Sequence, residues 1–353
     1  MANKKQKSTP ENPTPEAANI SAKHIVCFWK QNDLGLYGRR PDRWIDTWLA
    51  DSAVEKVIVF EPPTGLHTLH QWLQLAISLD PVSASEYTLL LNQHLTKRQG
   101  LLDTEKLKYK SYFEPQQPTP DNERYLSWVL QQLQLEGIQN PTVVLWPACY
   151  VNAALLDAIA PAHIVTDFVD DQRLFTSNVT YNQTITQQYA YALGRSDRVM
   201  SNSEGLIANF SQEFKTDRIQ HHPNALLSLQ PHTRPAPKAS GKGKNKRPVI
   251  GYVGNMRGRM AIEPLLQAID RNPDKDFWFV GQTHGSAFYQ QAKSRPNCKF
   301  WGTLSRENVA PVMAQFSAAL IPFQDDPLVR TMSPIKADAY AKANVPVVSL
   351  DEL

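Results

Sequence analysis

With 353 residues, 42% hydrophobic and 20% charged, the chain is long enough for two domains with sizeable cores. A formal net charge of +3 gives no global reason to expect a nucleic-acid partner, and no apolar run approaches the ~18 residues of a membrane helix. The N-terminus, MANKKQKSTPENPTPEAANI, lacks the apolar core of a secretory signal; Cys27, Cys149 and Cys298 fall at no metal or redox spacing, which fits a reducing cytoplasm.

Residues 1–22 are polar and Pro-rich and are expected to be disordered. HIVCFW, from His24 to Trp29, then reads as a buried strand, followed by the loop QNDLGLYGRR. Pro41 fits the first turn of a helix whose Trp44, Ile45, Trp48 and Leu49 share one face. KVIVF (56–60) predicts a second strand. TVVLW (142–146), IVTDF (164–168) and RVMS (198–201) predict further strands, with helices over 122–135, 150–159 and 204–214. The stretch 64–118 fits neither period and is expected to hold an irregular insertion. Strand and helix in alternation mean a parallel sheet covered on both faces, which binds ligands at the carboxyl ends of its strands.

The segment 229–247, LQPHTRPAPKASGKGKNKR, is basic and rich in Pro and Gly. It admits two readings, a solvated hinge or a contact with anionic lipid headgroups. The alternation then restarts: strands VIGYV (249–253), FWFV (277–280), CKFW (298–301), AALIPF (318–323) and 345–350, with helices over 261–270 and 306–316. The expected fold class is α/β, two Rossmann-like doubly wound domains facing a cleft: 23–228, and 248–353 after the linker.

VIGYVGNMRGR, FWFVGQ, CKFWGTLSRENV, AALIPF and SPIKADAYAKANVPVVS stand in the order found in family-4 type glycosyltransferases of the GT-B fold, which 249–353 resembles. NDLGLYGRRPDRW, KVIVFEPP, DFVDD, RSDRVMSNSEGLIANF and HHPNA resemble the N-terminal half of bacterial relatives that build surface polysaccharides. The resemblance implies that the C-terminal half holds a nucleotide-diphospho-sugar donor and the N-terminal half a glycan or glycolipid acceptor. It implies no cofactor and no required metal, a cytoplasmic site of action, and contact at most peripheral with the inner membrane. The family also continues past VPVVS, so a chain ending at Leu353 is expected to leave the C-terminal domain incomplete.

The leaving group of such a transfer is a nucleoside diphosphate, so cations or backbone N–H dipoles are needed where its charge grows. Gly254, Asn255, Arg257 and Arg259 lie in the turn after the first C-terminal strand, where glycines let the backbone approach an anion and arginines clamp it. Ser333 and Pro334 fit a helix start that puts Lys336 in the first turn, and the resemblance implies that this lysine contacts the diphosphate. The family's ribose-binding acids fall on Ala339 and Thr331. Asp338 is one residue, about 100°, out of phase, which leaves Thr331 and Asp338 as candidates for the donor ribose or sugar. Asp167 and Asp170 are candidates to orient or deprotonate an acceptor hydroxyl, against a cap role for Asp167. Asp33, Gly38, Arg39 and Arg40 form an acceptor-side loop able to bind an anion, against a structural role for Arg40. Two rivals stand beside the transferase: a non-catalytic carbohydrate- or nucleotide-binding scaffold, and a nucleotide-sugar epimerase on the same fold.

Overall fold

The computed structural model describes residues 22–116, 123–147, 152–224, 247–326, 329 and 335–353. The expected disordered tail, most of the basic segment 229–247, Thr331, Ser333 and Pro334 lie outside them.

The first half holds β1 (His24–Phe28), α1 (Arg40–Ala50), β2 (Lys56–Phe60), β3 (Thr64–Gly65), α2 (Leu66–Ser78), α3 (Pro81–Arg98), β4 (Leu107–Lys110) and β5 (Phe113–Glu114). It continues with α4 (Glu123–Leu135), β6 (Thr142–Leu145), α5 (Ala153–Ile159), β7 (His163–Phe168), α6 (Val179–Arg195), β8 (Arg198–Ser201), α7 (Glu204–Phe214) and β9 (Ile219–His221). Seven parallel strands form one sheet in the order β4-β2-β1-β6-β7-β8-β9, so the winding reverses between β1 and β6. Alternate strand residues feed two cores. Ile25, Cys27, Val57 and Val59 pack with Trp44, Ile45 and Trp48 of α1. Val26, Phe28, Ile58 and Phe60 pack with Tyr125, Val129 and Leu133 of α4. A strand buried on both faces needs an unbroken apolar run, and that is how KVIVF reads.

The second half holds β10 (Val249–Val253), α8 (Ile262–Arg271), β11 (Asp276–Val280), α9 (Ala287–Ala292), β12 (Cys298–Phe300), α10 (Arg306–Met313), β13 (Ala318–Ala319) and α11 (Ile335–Lys342). Its parallel sheet runs β12-β11-β10-β13 and reverses between β10 and β13.

Three expectations change. The expected strand 318–323 shortens to two residues, with Phe323 bridging Met260. The expected strand 345–350 reduces to a bridge between Val347 and Ala319, flanked by the bonds Ala319 N–H to Pro346 O and Val348 N–H to Ala319 O. Pro346 has no N–H to extend that ladder. The region 64–116 is not irregular: α2 and α3 form a helical hairpin, and α3 lies against the second half. Ser83 Oγ is 3.1 Å from Thr283 Oγ1, the Ser85 hydroxyl accepts from Thr303 N, and the Tyr289 hydroxyl donates to Asp80.

Candidate functional site

The carboxyl ends of β10, β11 and β12 each finish in a glycine, and these backbones touch. Gly254 N donates to Val280 O at 2.8 Å, and Gly281 N to Gly302 O at 2.7 Å. A Cβ on Gly281 would stand 2.0 Å from Gly254 O, so only glycine lets these strand ends close up. The turn that follows is ordered by its own side chain. Asn255 Oδ1 accepts from Arg257 N, and the Tyr252 hydroxyl donates to Asn255 O.

Helix α11 is fixed above this turn by Tyr340, fully buried, whose hydroxyl accepts from Val253 N at 2.8 Å. Lys336 lies one turn earlier on the same face. Its chain crosses Gly254 so closely that a Cβ there would be 2.2 Å from Lys336 Cε. The ammonium sits 4.8 Å from the Phe323 ring centre and 5.6 Å from that of Tyr252. No hydrogen bond or ion pair reaches it among the described residues. Burial, then the nearby Arg259, lower it to about 8, while Asp170 pulls the other way.

Arg259 spans the cleft, its guanidinium 4.8 Å from the ring centre of Phe175 in the first half. Arg257 is engaged differently. Both oxygens of Glu86 on α3 accept from its Nη2, at 2.8 and 3.0 Å, and Gln282 also donates to Glu86. The expected clamp on a diphosphate is therefore a tie to the first half in this structure. Asp338 is also placed away from the turn: it acts electrostatically on Arg43 of α1 and on Lys342.

On the first-half side, three expectations are corrected. Asp167 has no exposed surface. Arg40 donates to it twice, from Nε at 2.8 Å and Nη2 at 3.0 Å, and the Trp146 indole donates a third bond at 3.1 Å. A carboxylate so enclosed has no approach for an acceptor hydroxyl; it anchors α1 to β7. Arg40, equally buried, also donates to Pro223 O and lies 3.1 Å from His222 Nδ1, so it binds no anion from outside. Asp33 accepts from the Trp29 indole and pairs with Arg39 at 2.8 Å, which makes both members of the loop's own framework. Gly38, at φ +63°, backs onto the Arg306 side chain of the second half.

Asp170 is different. It follows β7 and lines a small recess with Trp29, Lys30, Trp146 and Tyr189, at whose floor the fully buried, paired Asp167 also lies. Its carboxylate acts on both Lys336 and Lys30. Lys30 was not legible as a site residue: a lysine after a strand is ordinary, and nothing in its neighbours marks it.

Of the expected residues, the structure thus brings Gly254, Asn255, Arg259, Lys336 and Asp170 to one cleft, with Lys30 added. It assigns Asp167, Arg40, Asp33 and Arg39 to structural pairs. Among the described residues, no helix is long and apolar enough to cross a membrane.

No family model matches the sequence. A Bacillus subtilis (strain 168) protein named as a teichuronic acid biosynthesis glycosyltransferase, TuaH, is 24% identical over 102 residues, which is 28% of this chain and only 26% of TuaH. The crystal structure of Anabaena Alr3699/HepE in complex with UDP and glucose is similar over 93% of this chain and 80% of that one, with a TM-score of 0.54 and 14% identity. The S. aureus MnaA–UDP structure aligns over 92% of this chain and 78% of its own, with a TM-score of 0.49 and 11% identity. The architecture of two doubly wound halves is shared with the Anabaena structure, and the sequence similarity is to about a quarter of the length of one teichuronic acid biosynthesis glycosyltransferase.

Proposed function

We propose that this chain transfers a sugar from a nucleotide-diphospho-sugar to a glycan or glycolipid acceptor in surface-polysaccharide synthesis. The carrying observation is Lys336: an ammonium held over Gly254 at the strand ends, with no hydrogen bond or ion pair among the described residues and only Asp170 acting on it from a distance. A buried cation is costly unless a negative charge meets it, and a nucleotide-sugar brings two phosphates. In this reading the Gly254–Arg259 turn and Lys336 bind the diphosphate. Their fixed charges offset the negative charge that develops on the leaving phosphate, so no metal is required. Asp170, on the opposite bank, orients the acceptor hydroxyl. The acceptor comes from the first half, and the enzyme works in the cytoplasm, peripherally at the inner membrane if its acceptor is a glycolipid.

A non-catalytic scaffold is the second reading, and one observation favours it: Arg257 is already paired with Glu86 and Asp338 acts on Arg43, so two candidate donor contacts are engaged elsewhere. One experiment separates the two. Thermal unfolding is followed with uridine, guanosine, thymidine and adenosine diphosphates and their sugars, then turnover on a panel of glycan acceptors. UDP comes first because the Anabaena structure holds it. A ligand at a hundredfold its Kd stabilises by about 2.7 kcal/mol, a shift of several degrees. A selective shift with turnover supports the transferase. A shift without turnover supports the scaffold, and no shift in a folded sample removes the donor site.

A further inference from the structure

Helix α3 bears on the donor site just proposed, and the role inferred for it rests on that reading. Its C-terminal end is rooted in the first half. Gln93 donates to Leu34 O at 2.8 Å, His94 Nδ1 lies 3.1 Å from the Ser111 hydroxyl, and the buried Lys97 pairs with Glu61. Its 18 residues carry the other end about 27 Å away. That end rests on the second half. Asp80 accepts from the Tyr289 hydroxyl at 2.9 Å, the Ser83 and Thr283 hydroxyls are 3.1 Å apart, and Glu86 accepts from Gln282 at 2.6 Å as well as from Arg257. Positions 80, 83, 86 and 87 share one helix face, and the Tyr87 ring meets His284 edge-on with centres 5.5 Å apart. Beside that face, the Ser85 hydroxyl accepts from Thr303 N at 2.7 Å. A Cβ on Gly302 would stand 2.6 Å from Val82 O, so the helix lies against the backbone itself.

Most of these contacts fall on the turns after β11 and β12. The carboxyl ends of the strands are where a doubly wound sheet takes its ligand. Over β10 that edge carries the Gly254 turn and Lys336; over β11 and β12 it is covered by α3. The joint is made of polar side chains, the kind of contact between halves that comes apart. Thr303 Oγ1 and Arg257 Nε are buried in it without a hydrogen-bond partner, a cost that a permanent joint has no reason to carry. The other limb of the hairpin, α2, buries no residue, and an open groove separates its Ala76 from Leu304 and Asn308. The tip is thus held down by polar contacts rather than by a core. We propose that α3 is an autoinhibitory arm: its tip occupies the strand ends along which the donor's nucleoside lies, and donor binding lifts it, releasing Arg257 from Glu86 and the Thr303 N–H from Ser85.

The test fastens the arm and then loosens it, with UDP titrated by calorimetry. The double variant Ser83→Cys, Thr283→Cys puts two sulfurs where the hydroxyls stand 3.1 Å apart, within reach of a disulfide. Each single variant controls for the native cysteines. Oxidised, the double variant is expected to bind UDP at least tenfold more weakly than the same protein reduced. Glu86→Gln removes the charge that holds Arg257 and is expected to bind UDP about tenfold more tightly than the unaltered chain, because the arm is lifted in a larger fraction of molecules. Amide hydrogen exchange over residues 81–88 of the unaltered chain is expected to quicken when UDP is added, while exchange around Lys97 stays slow. Equal affinity in the oxidised and reduced forms, weaker binding by Glu86→Gln, or slower exchange of the tip with UDP leaves the donor site standing and overturns the arm. If the unaltered chain, the reduced double variant and Glu86→Gln all fail to bind UDP and the guanosine, thymidine and adenosine diphosphates, the donor-site reading itself falls and takes the inhibition with it.

Discussion

Asp167→Asn separates a structural carboxylate from a catalytic one. Asp167 has no exposed surface, and Arg40 beside it is 3% exposed; two bonds of 2.8 and 3.0 Å join them. Asparagine keeps the shape but removes the charge and turns an N–H₂ toward one of the three donors that Asp167 serves. Removing one partner of a buried ion pair costs about 3–5 kcal/mol, because the other charge is left without compensation. In a half of this size, each kcal/mol moves the midpoint by roughly 2–4 °C, so calorimetry should show a fall of about 10 °C. The double variant Arg40→Met, Asp167→Leu should recover most of it, since apolar replacement of both members of a buried pair is often neutral. Turnover per folded molecule, measured well below the new midpoint, should remain within a few-fold. A base in the reaction would behave oppositely: melting unchanged and turnover down by about 10²–10⁴. That pattern would refute the structural assignment of Asp167.

Lys336→Met should lower turnover by about 10²–10³ while melting holds, the size expected for one lost donor to a developing oxyanion, and unchanged kinetics would remove Lys336 from the site. Gly254→Ala should weaken UDP at least as much as it disturbs the fold, because its Cβ falls 2.2 Å from Lys336 Cε and its φ is +149°; normal UDP titration by the variant would disprove this. Lys30 and Lys336 sit at about 8 in the folded chain against 10.5 ordinarily. Between those values the unfolded chain binds more protons, so these two groups make the unliganded protein more stable as pH rises from 8 to 10.5. Diphosphate affinity should run the other way, falling above pH 8 by up to about tenfold per unit for each lysine that must be charged. UDP titrations on both sides of pH 8 check the sign, and affinity that is flat with pH would contradict it.

The five central strands of the first sheet were legible as apolar runs, KVIVF admitting no surface-strand reading, while the edge strands LKYK (β4) and IQH (β9) were not, because they are short and largely polar. The second sheet was legible from strand–glycine–helix order, down to the turn at Gly254. The α2–α3 hairpin was not. Leu66, Leu73 and Ile77 of α2 remain 51–76% exposed, so their spacing describes no core face, and Leu89-Leu90-Leu91 in α3 shows no helical period. The last expected strand failed because VPVVS is apolar yet Val347 is 45% exposed and Pro346 cannot donate. Within the site, position along the chain was readable and the state of each charge was not. Arg40 finds Asp167 at a separation of 127 residues, and Arg257 finds Glu86 at 171. No local pattern announces a partner so distant, so an arginine spent on structure looks the same in sequence as one offered to a ligand.

That distinction sorts the cleft. Arg39, Arg40 and Arg257 each meet a carboxylate, and each pair joins different parts: the two ends of the β1–α1 loop, α1 to β7, and α3 to the turn of the other half. Only the Arg40–Asp167 pair is buried on both sides, and such a pair adds little net stability but is expensive to break, so it fixes geometry more than it strengthens it. Lys30 and Lys336 have no such partner among the described residues and lose basicity instead, which is the response of an ammonium drawn out of water without compensation. In the proposed reading, three arginines hold the frame and affinity for an anion falls to the lysines. Glu86 in that reading does more than join two halves: by occupying Arg257 it keeps that guanidinium from the donor's phosphates.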